Sequence, residues 1–239
     1  MLTAEPAGPK KNAETRKAYS RISQQSDDQL REIIANTYGQ IALVDHQLGR
    51  IMISLREFGL SENTVVVYAS DHGDWLGDHG LILKGPMHYE GLLRVPLVFW
   101  GAGIESGQVN ENPVSTLDLG ATFAEYAGIS PLLPQHGQSL LPLLRNSDEK
   151  RKFALNEWEL LPTRAGVALS LRTVRTGTAK MTVDQISGAG ELYDLAADPC
   201  ELVNQYDNPR FRPLRDELQS MLYMRPDDCI PHQTQVGMA

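Results

Sequence analysis

Thr64-Val-Val-Val-Tyr-Ala-Ser-Asp71-His72-Gly73-Asp74-Trp-Leu-Gly77-Asp78-His79-Gly80-Leu-Ile-Leu-Lys84 joins an apolar run to a cluster of ionisable side chains. Val65 to Tyr68 are β-branched or aromatic with no polar alternation, which predicts a strand covered on both faces, as in a parallel α/β sheet. Open α/β sheets hold ligands just beyond the carboxyl ends of such strands. Asp71 and His72 fall at that end, adjacent so that both can reach one centre, and Gly73 lets the chain turn sharply away. They offer one hard oxygen and one imidazole nitrogen, a set compatible with Ca2+, Mg2+, Mn2+ or Zn2+. A second reading stands beside this one: Asp71 begins a turn and His72 is a partly buried, hydrogen-bonded histidine.

Downstream residues carry the same double reading. Lys84, flanked by apolar residues and Gly85, can point its ammonium into a cleft and neutralise an anionic ester, or it can snorkel at the surface. His79 and His88 can serve as proton donors to a leaving group or be loop histidines. Asp74 and Asp78 read most economically as cap or loop carboxylates. Trp75 reads as packing, with a pocket rim as the alternative.

Working outward, Leu30, Ile33, Ile34, Tyr38, Ile41, Val44, Leu48, Ile51, Met52 and Leu55 recur at three- and four-residue steps. They predict a long amphipathic helix from Asp27 to a left-handed cap near Phe58-Gly59. Arg94 to Trp100 predicts a second apolar strand, Thr116 to Tyr126 a helix, and Pro131 to Pro142 a loop. Beyond Asp148 the short mixed segments 153–157, 165–175 and 180–183 suit a small antiparallel sheet with one solvated face, closed by a helix over 211–223. The expected organisation is a polar tail (1–26), an α/β part (27–150), a small α+β part (151–224) and a second tail (225–239). Only two buried parallel-type strands emerge, whereas sheets usually hold about four to six. The α/β layer is therefore incomplete, and its remaining strands are expected N-terminal to residue 1 or hidden in loop-like segments.

Composition narrows the function. At 239 residues, with 41% hydrophobic and 22% charged residues, the chain reads as an ordinary folded protein. A net charge of -8 argues against general nucleic-acid or anionic-membrane binding. No apolar run approaches the roughly 18 residues of a membrane span, and no signal-peptide core is visible, so a cytoplasmic location is expected. Cys200 and Cys229 lack CxxC spacing and read as free thiols.

Taken together, these residues resemble the sulfatases of the alkaline-phosphatase superfamily, with their phosphonate and phosphodiester hydrolase relatives. The likeness runs through Tyr38 to Gly49, Ser70-Asp-His-Gly73, Leu76-Gly-Asp-His-Gly80, Lys84 and Arg94-Val-Pro-Leu. It continues through Ser115-Thr-Leu-Asp118, Gly137-Gln-Ser-Leu140, Glu191-Leu-Tyr-Asp-Leu195, Asp198-Pro199, Glu201 and Asn204. The resemblance implies an alkaline-phosphatase-like sheet flanked by helices. It implies that Asp71 and His72 are the second pair of ligands to a divalent cation (Ca2+ first, Mn2+ or Mg2+ as alternatives), and that Lys84 contacts the sulfate group. In such enzymes a cysteine or serine in Cys/Ser-x-Pro/Ala-x-Arg becomes formylglycine, whose hydrate attacks the ester. That signature is absent here: Cys200 is followed by Glu-Leu-Val-Asn and Cys229 by Ile-Pro-His-Gln. The resemblance therefore implies the C-terminal part of a sulfatase, acting on a sulfate ester only with a nucleophile supplied elsewhere. A separate N-terminal half or a homo-oligomer is the expected partner. A phosphonate or phosphodiester hydrolase and a non-catalytic partner-binding fragment are the alternatives.

Overall fold

The computed structural model describes residues 25–130, 135–145, 150–161 and 168–227. Most of the two expected tails, Cys229 and the start of the loop expected from Pro131 lie outside the described residues.

Helix α1 spans Asp27–Glu57, where the periodicity placed it. Ser26 and Gln29 form a capping box, each side chain accepting from the other's amide, and Asp27 and Asp28 face the positive end of the helix dipole. Gly59 ends it at φ +66°, a conformation that costs glycine little. Yet only Leu30 of its 31 residues is buried, while Tyr38, Ile41, Val44 and Ile51 stand in solvent.

Strands β1 (Val65–Ala69) and β2 (Leu97–Gly101) form a two-stranded ribbon in register from Val65↔Gly101 to Ala69↔Leu97. They run antiparallel, which corrects the parallel pairing expected from their sequence. An unbroken apolar run reports coverage of both faces, and strand direction is set by the connection. Here the connection is an irregular segment with one short helix, α2 (Glu90–Leu93), rather than a crossover helix. Both strands are half-buried, and the outer edge of each lacks a strand partner among the described residues.

Helix α3 (Asp118–Tyr126) is anchored by Asp118, which accepts from the Ser115 and Gln138 amides and pairs with Arg151 at 2.7 Å. A short α4 (Leu141–Leu144) follows. The chain then forms an antiparallel sheet in the order β3 (Phe153–Leu160), β4 (Leu169–Thr176), β5 (Ala179–Asp184) and β6 (Gly190–Asp194), closed by α5 (Arg212–Leu222). Val174, Met181 and Leu192 occupy one face and pack with Leu218 and Leu222 of α5.

The other face was expected in solvent. Instead Tyr193 packs there with Trp75, Leu81, Met87, Tyr89 and Leu92. Thr173, Thr182 and Glu191 alternate with the apolar residues and so read as a wet face, but Thr173 and Thr182 are buried beneath the 73–93 segment. No described helix is long and apolar enough to cross a membrane.

Candidate active site

The β1 strand delivers Asp71 and His72 to an open cleft of about 1320 Å3, also lined by Lys84, His88, Trp158 and Arg175. The His72 amide donates to Asp71 Oδ1 at 2.9 Å, and Ser70 Oγ donates to the His72 carbonyl at 2.8 Å. His72 Nδ1 lies 2.7 Å from the Gly73 carbonyl. A carbonyl can only accept, so Nδ1 carries a proton, and in the neutral ring Nε2 is left with its lone pair. That Nε2 stands 3.6 Å from Asp71 Oδ2. The Asp71 carboxyl is held below its ordinary range by the hydrogen bond from the His72 amide, then by His72 itself, with a small contribution from Lys84.

The donor set fits a divalent cation. Ligands 2.3–2.6 Å from Ca2+ at a right angle stand about 3.3–3.7 Å apart, which brackets the observed 3.6 Å, and the Gly73 contact already selects the metal-binding tautomer. Among the described residues no third His, Cys, Asp or Glu joins them. The pair is thus at most part of a coordination sphere.

Lys84 reaches the cleft because Asp74 organises the loop before it. Asp74 Oδ1 accepts from the Leu76 and Leu83 amides at 2.8 and 2.9 Å. This holds Leu83 at φ +65°, a left-handed conformation that costs a non-glycine residue roughly 1–2 kcal/mol. Trp75 is buried as expected, its Nε1 donating to the Met87 carbonyl. Gly73 matters through close approach: a Cβ there would lie 2.0 Å from the Gly91 carbonyl oxygen. Asp78 opens a short 3-10 turn. His79 stacks on Tyr89 with centroids 3.7 Å apart, buried and away from the cleft lining.

His88 is buried at the cleft wall, its Nδ1 2.7 Å from Thr173 Oγ1 and its ring edge-to-face with Trp158. Burial, and then the Lys180 ammonium, push its pKa down to about 3, so the ring is neutral at ordinary pH. Two residues on, Glu90 meets Lys180 at 3.3 Å and Arg175 at 3.2 Å, and its amide donates to Glu201 Oε2. Lys180 also pairs with Glu201, both essentially fully buried. Burial raises the Glu201 carboxyl above its usual range against the opposing pull of Lys180.

The structure thus brings Asp71, His72, Lys84 and His88 to one cleft and leaves His79 out. Three contributors escaped the sequence reading: Asp74 as organiser of the Lys84 loop, Thr173 as partner of His88, and the Lys180–Glu201 pair. Asp74 had read as a loop carboxylate. A buried lysine two residues before a strand threonine carries no separate local signal.

Comparison with known proteins places the chain among its relatives. The sulfatase family model matches residues 2–129, and the model of the N-sulphoglucosamine sulphohydrolase C-terminal region matches residues 77–227. Arylsulfatase K of Canis lupus familiaris is 35% identical over 184 residues, 74% of this chain and 34% of that protein. Choline-sulfatase of Rhizobium meliloti is 35% identical over 176 residues, 72% of this chain and 33% of that protein. The crystal structure of phosphonate monoester hydrolase from Agrobacterium radiobacter superposes with a TM-score of 0.74 at 30% identity, covering 83% of this chain and 42% of that one. The expected alkaline-phosphatase-like α/β architecture holds, and the chain spans about a third of the length of the curated relatives it matches.

Proposed function

This chain belongs to the sulfatase family, and from that premise we propose that it carries the Asp71–His72 and Lys84 part of a metal-dependent sulfate-ester hydrolase. The observation that carries the reading is the Nδ1 contact of His72 with the Gly73 carbonyl, which turns a lone-paired Nε2 to within 3.6 Å of Asp71 Oδ2 in the cleft that holds Lys84. A divalent cation there, Ca2+ in the first instance and Mn2+ or Mg2+ otherwise, would supply positive charge for the anionic ester. The Lys84 ammonium neutralises the sulfate and stabilises charge developing in the transition state. His88 meets the leaving oxygen as a neutral imidazole. The attacking group is supplied from outside these 239 residues, which contain no Cys/Ser-x-Pro/Ala-x-Arg signature, so turnover of an aryl sulfate requires the completing segment. Phosphonate monoesters are the alternative substrate class, supported by the likeness to the Agrobacterium enzyme.

Calorimetric titration of the chain with CaCl2 and MnCl2 tests the reading. One cation is expected to bind, with affinity lost in Asp71→Ala and His72→Ala and retained in His136→Ala. Equal affinity in all four proteins refutes the site.

A partner-binding role has its own support. The apolar side chains of α1 and the open edges of the β1–β2 ribbon have no cover among the described residues, and such surfaces are association sites. The completing segment, as a separate N-terminal half or a second copy, would cover them.

A further inference from the structure

The cleft-facing side of the C-terminal sheet carries a row of polar residues that no part of the proposed chemistry has used. Asn156, Thr173, Thr182 and Glu191 lie directly opposite one another, one from each of β3, β4, β5 and β6. Thr173 is 1% exposed and Thr182 is 9% exposed, and valine would suit both strand positions without losing a hydroxyl's hydration. Thr173 Oγ1 lies 2.7 Å from Thr182 Oγ1 and 2.7 Å from His88 Nδ1. His88 Nε2 is buried, with under 1 Å2 of surface, and has no hydrogen-bond partner among the described residues. Leaving such an atom unpaired costs free energy that a packed interior normally avoids, so it calls for an explanation.

We propose that Thr173 and Thr182 are positioning residues that fix the tautomer of His88, with Thr182 donating to Thr173, Thr173 donating to Nδ1, and the proton placed on Nε2. The assignment rests on the hydrolase reading, because a sulfate ester and its leaving oxygen are acceptors and only an Nε2–H can serve them. A hydroxyl has one proton. With Thr182 donating to Thr173, the Thr173 proton is free for Nδ1, and a neutral ring with an acceptor engaged at Nδ1 must carry its hydrogen on Nε2. A bound ester displaces the side chains that cover Nε2 and takes that hydrogen bond. As the S–O bond breaks, its electron pair goes to the leaving oxygen, which receives the Nε2 proton. His88 recovers a proton at Nδ1 from Thr173, Thr173 from Thr182, and Thr182 from a solvent water. The hydroxide so formed is neutralised by the proton that the attacking hydroxyl of the completing segment releases as its oxygen bonds to sulfur, so the ring changes tautomer without becoming an imidazolium.

Two measurements test this. Nitrogen-15 NMR of the histidine-labelled chain should show His88 as the Nε2–H tautomer in the wild type and in Thr173→Ser, and as a tautomer mixture in Thr173→Val and Thr182→Val. A wild-type Nδ1–H tautomer, or Thr173→Val indistinguishable from wild type, overturns the assignment. In the enzyme completed by its nucleophile segment, Thr173→Val should lower kcat about 10–100-fold, the range for residues that orient a functional imidazole, on an alkyl sulfate. It should leave nitrophenyl sulfate, whose leaving group departs without a proton, nearly unchanged, with KM held on both. Equal loss on the two esters, as from a merely structural role, overturns the relay. Failure of the completed wild type to turn over either ester, with the Nε2–H tautomer intact, defeats the hydrolase reading and leaves the hydroxyl pair's hold on His88 standing.

Discussion

Replacing Lys180 by methionine removes the cation at the centre of the ion cluster that ties the site segment to the C-terminal sheet. Lys180 is 1% exposed and pairs with Glu201, itself 2% exposed, and with Glu90 at 3.3 Å. Methionine fills most of the volume, so the change is mainly electrostatic. Breaking a buried pair from one side costs about 3–5 kcal/mol, because the remaining charge stays buried and uncompensated. For a chain of this size that corresponds to a fall in Tm of roughly 6–20 °C. Glu201 has an escape, since it can take a proton. Burial already raises its carboxyl above the usual range, and the Lys180 ammonium is what opposes that rise. Without the ammonium the native-state value rises further. A carboxyl whose native pKa stands above its unfolded value binds more protons when folded, so stability falls as pH rises between the two values. Lys180→Met should therefore be least stable relative to wild type near pH 8. It should recover as pH falls toward the ordinary glutamate value of about 4.3, by up to about 1.4 kcal/mol per pH unit. Urea melts at several pH values measure this, and Lys180→Met/Glu201→Gln should restore much of the loss at pH 8. A Lys180→Met variant within about 1 kcal/mol of wild type, or one that loses stability as pH falls, would refute the account of the cluster.

Two further outcomes follow from the geometry. Asp74→Ala removes the acceptor shared by the Leu76 and Leu83 amides and should cost about 1–3 kcal/mol. It should also weaken binding of sulfate, although the residue does not line the cleft; unchanged sulfate affinity measured by calorimetry would separate Asp74 from the placement of Lys84. Ile41→Glu with Val44→Glu on the exposed face of α1 should leave the melting of the isolated chain within about 0.5 kcal/mol while abolishing assembly with a completing segment in size-exclusion runs. A large loss of stability in the isolated chain would show that this face is already covered.

Much of the fold was legible because it is written in local chemistry. The Ser26–Gln29 capping box, the apolar stripe and Gly59 fix α1 at both ends, and all three signals lie within the helix or one turn of it. Strand direction was not legible. Val65 to Tyr68 would look the same in either pairing, and the antiparallel register with β2 is decided by the route of the chain between Ser70 and Pro96. The fourth strand of the C-terminal sheet, β6, entered the sequence reading only as a stretch that carries the resemblance and not as a strand, since Gly190 and two acidic residues dilute its β character.

The site divides along the same line. Asp71 and His72 were singled out as candidates because an adjacent Asp-His pair at a strand end is a local pattern, and the structure adds a hydrogen bond from Nδ1 to the Gly73 carbonyl that suits the proposed role. The face of β4 and β5 was misread because alternation of polar and apolar residues records which side chains share a face, not what lies over that face. Thr173, Lys180 and Thr182 point toward His88 and Glu90, whose partners lie 85 and 90 residues away in the chain. Water and a buried polar segment demand the same residue types from a strand. What distinguishes them is completeness of pairing: a wet face needs none, whereas here the threonines pair with each other and with His88, and the lysine pairs with two glutamates. Two cleft-lining side chains keep a buried polar atom without a hydrogen-bond partner among the described residues, His88 Nε2 and Trp158 Nε1. The indole can only donate, whereas the imidazole can pass a proton on, which makes His88 the more informative of the two.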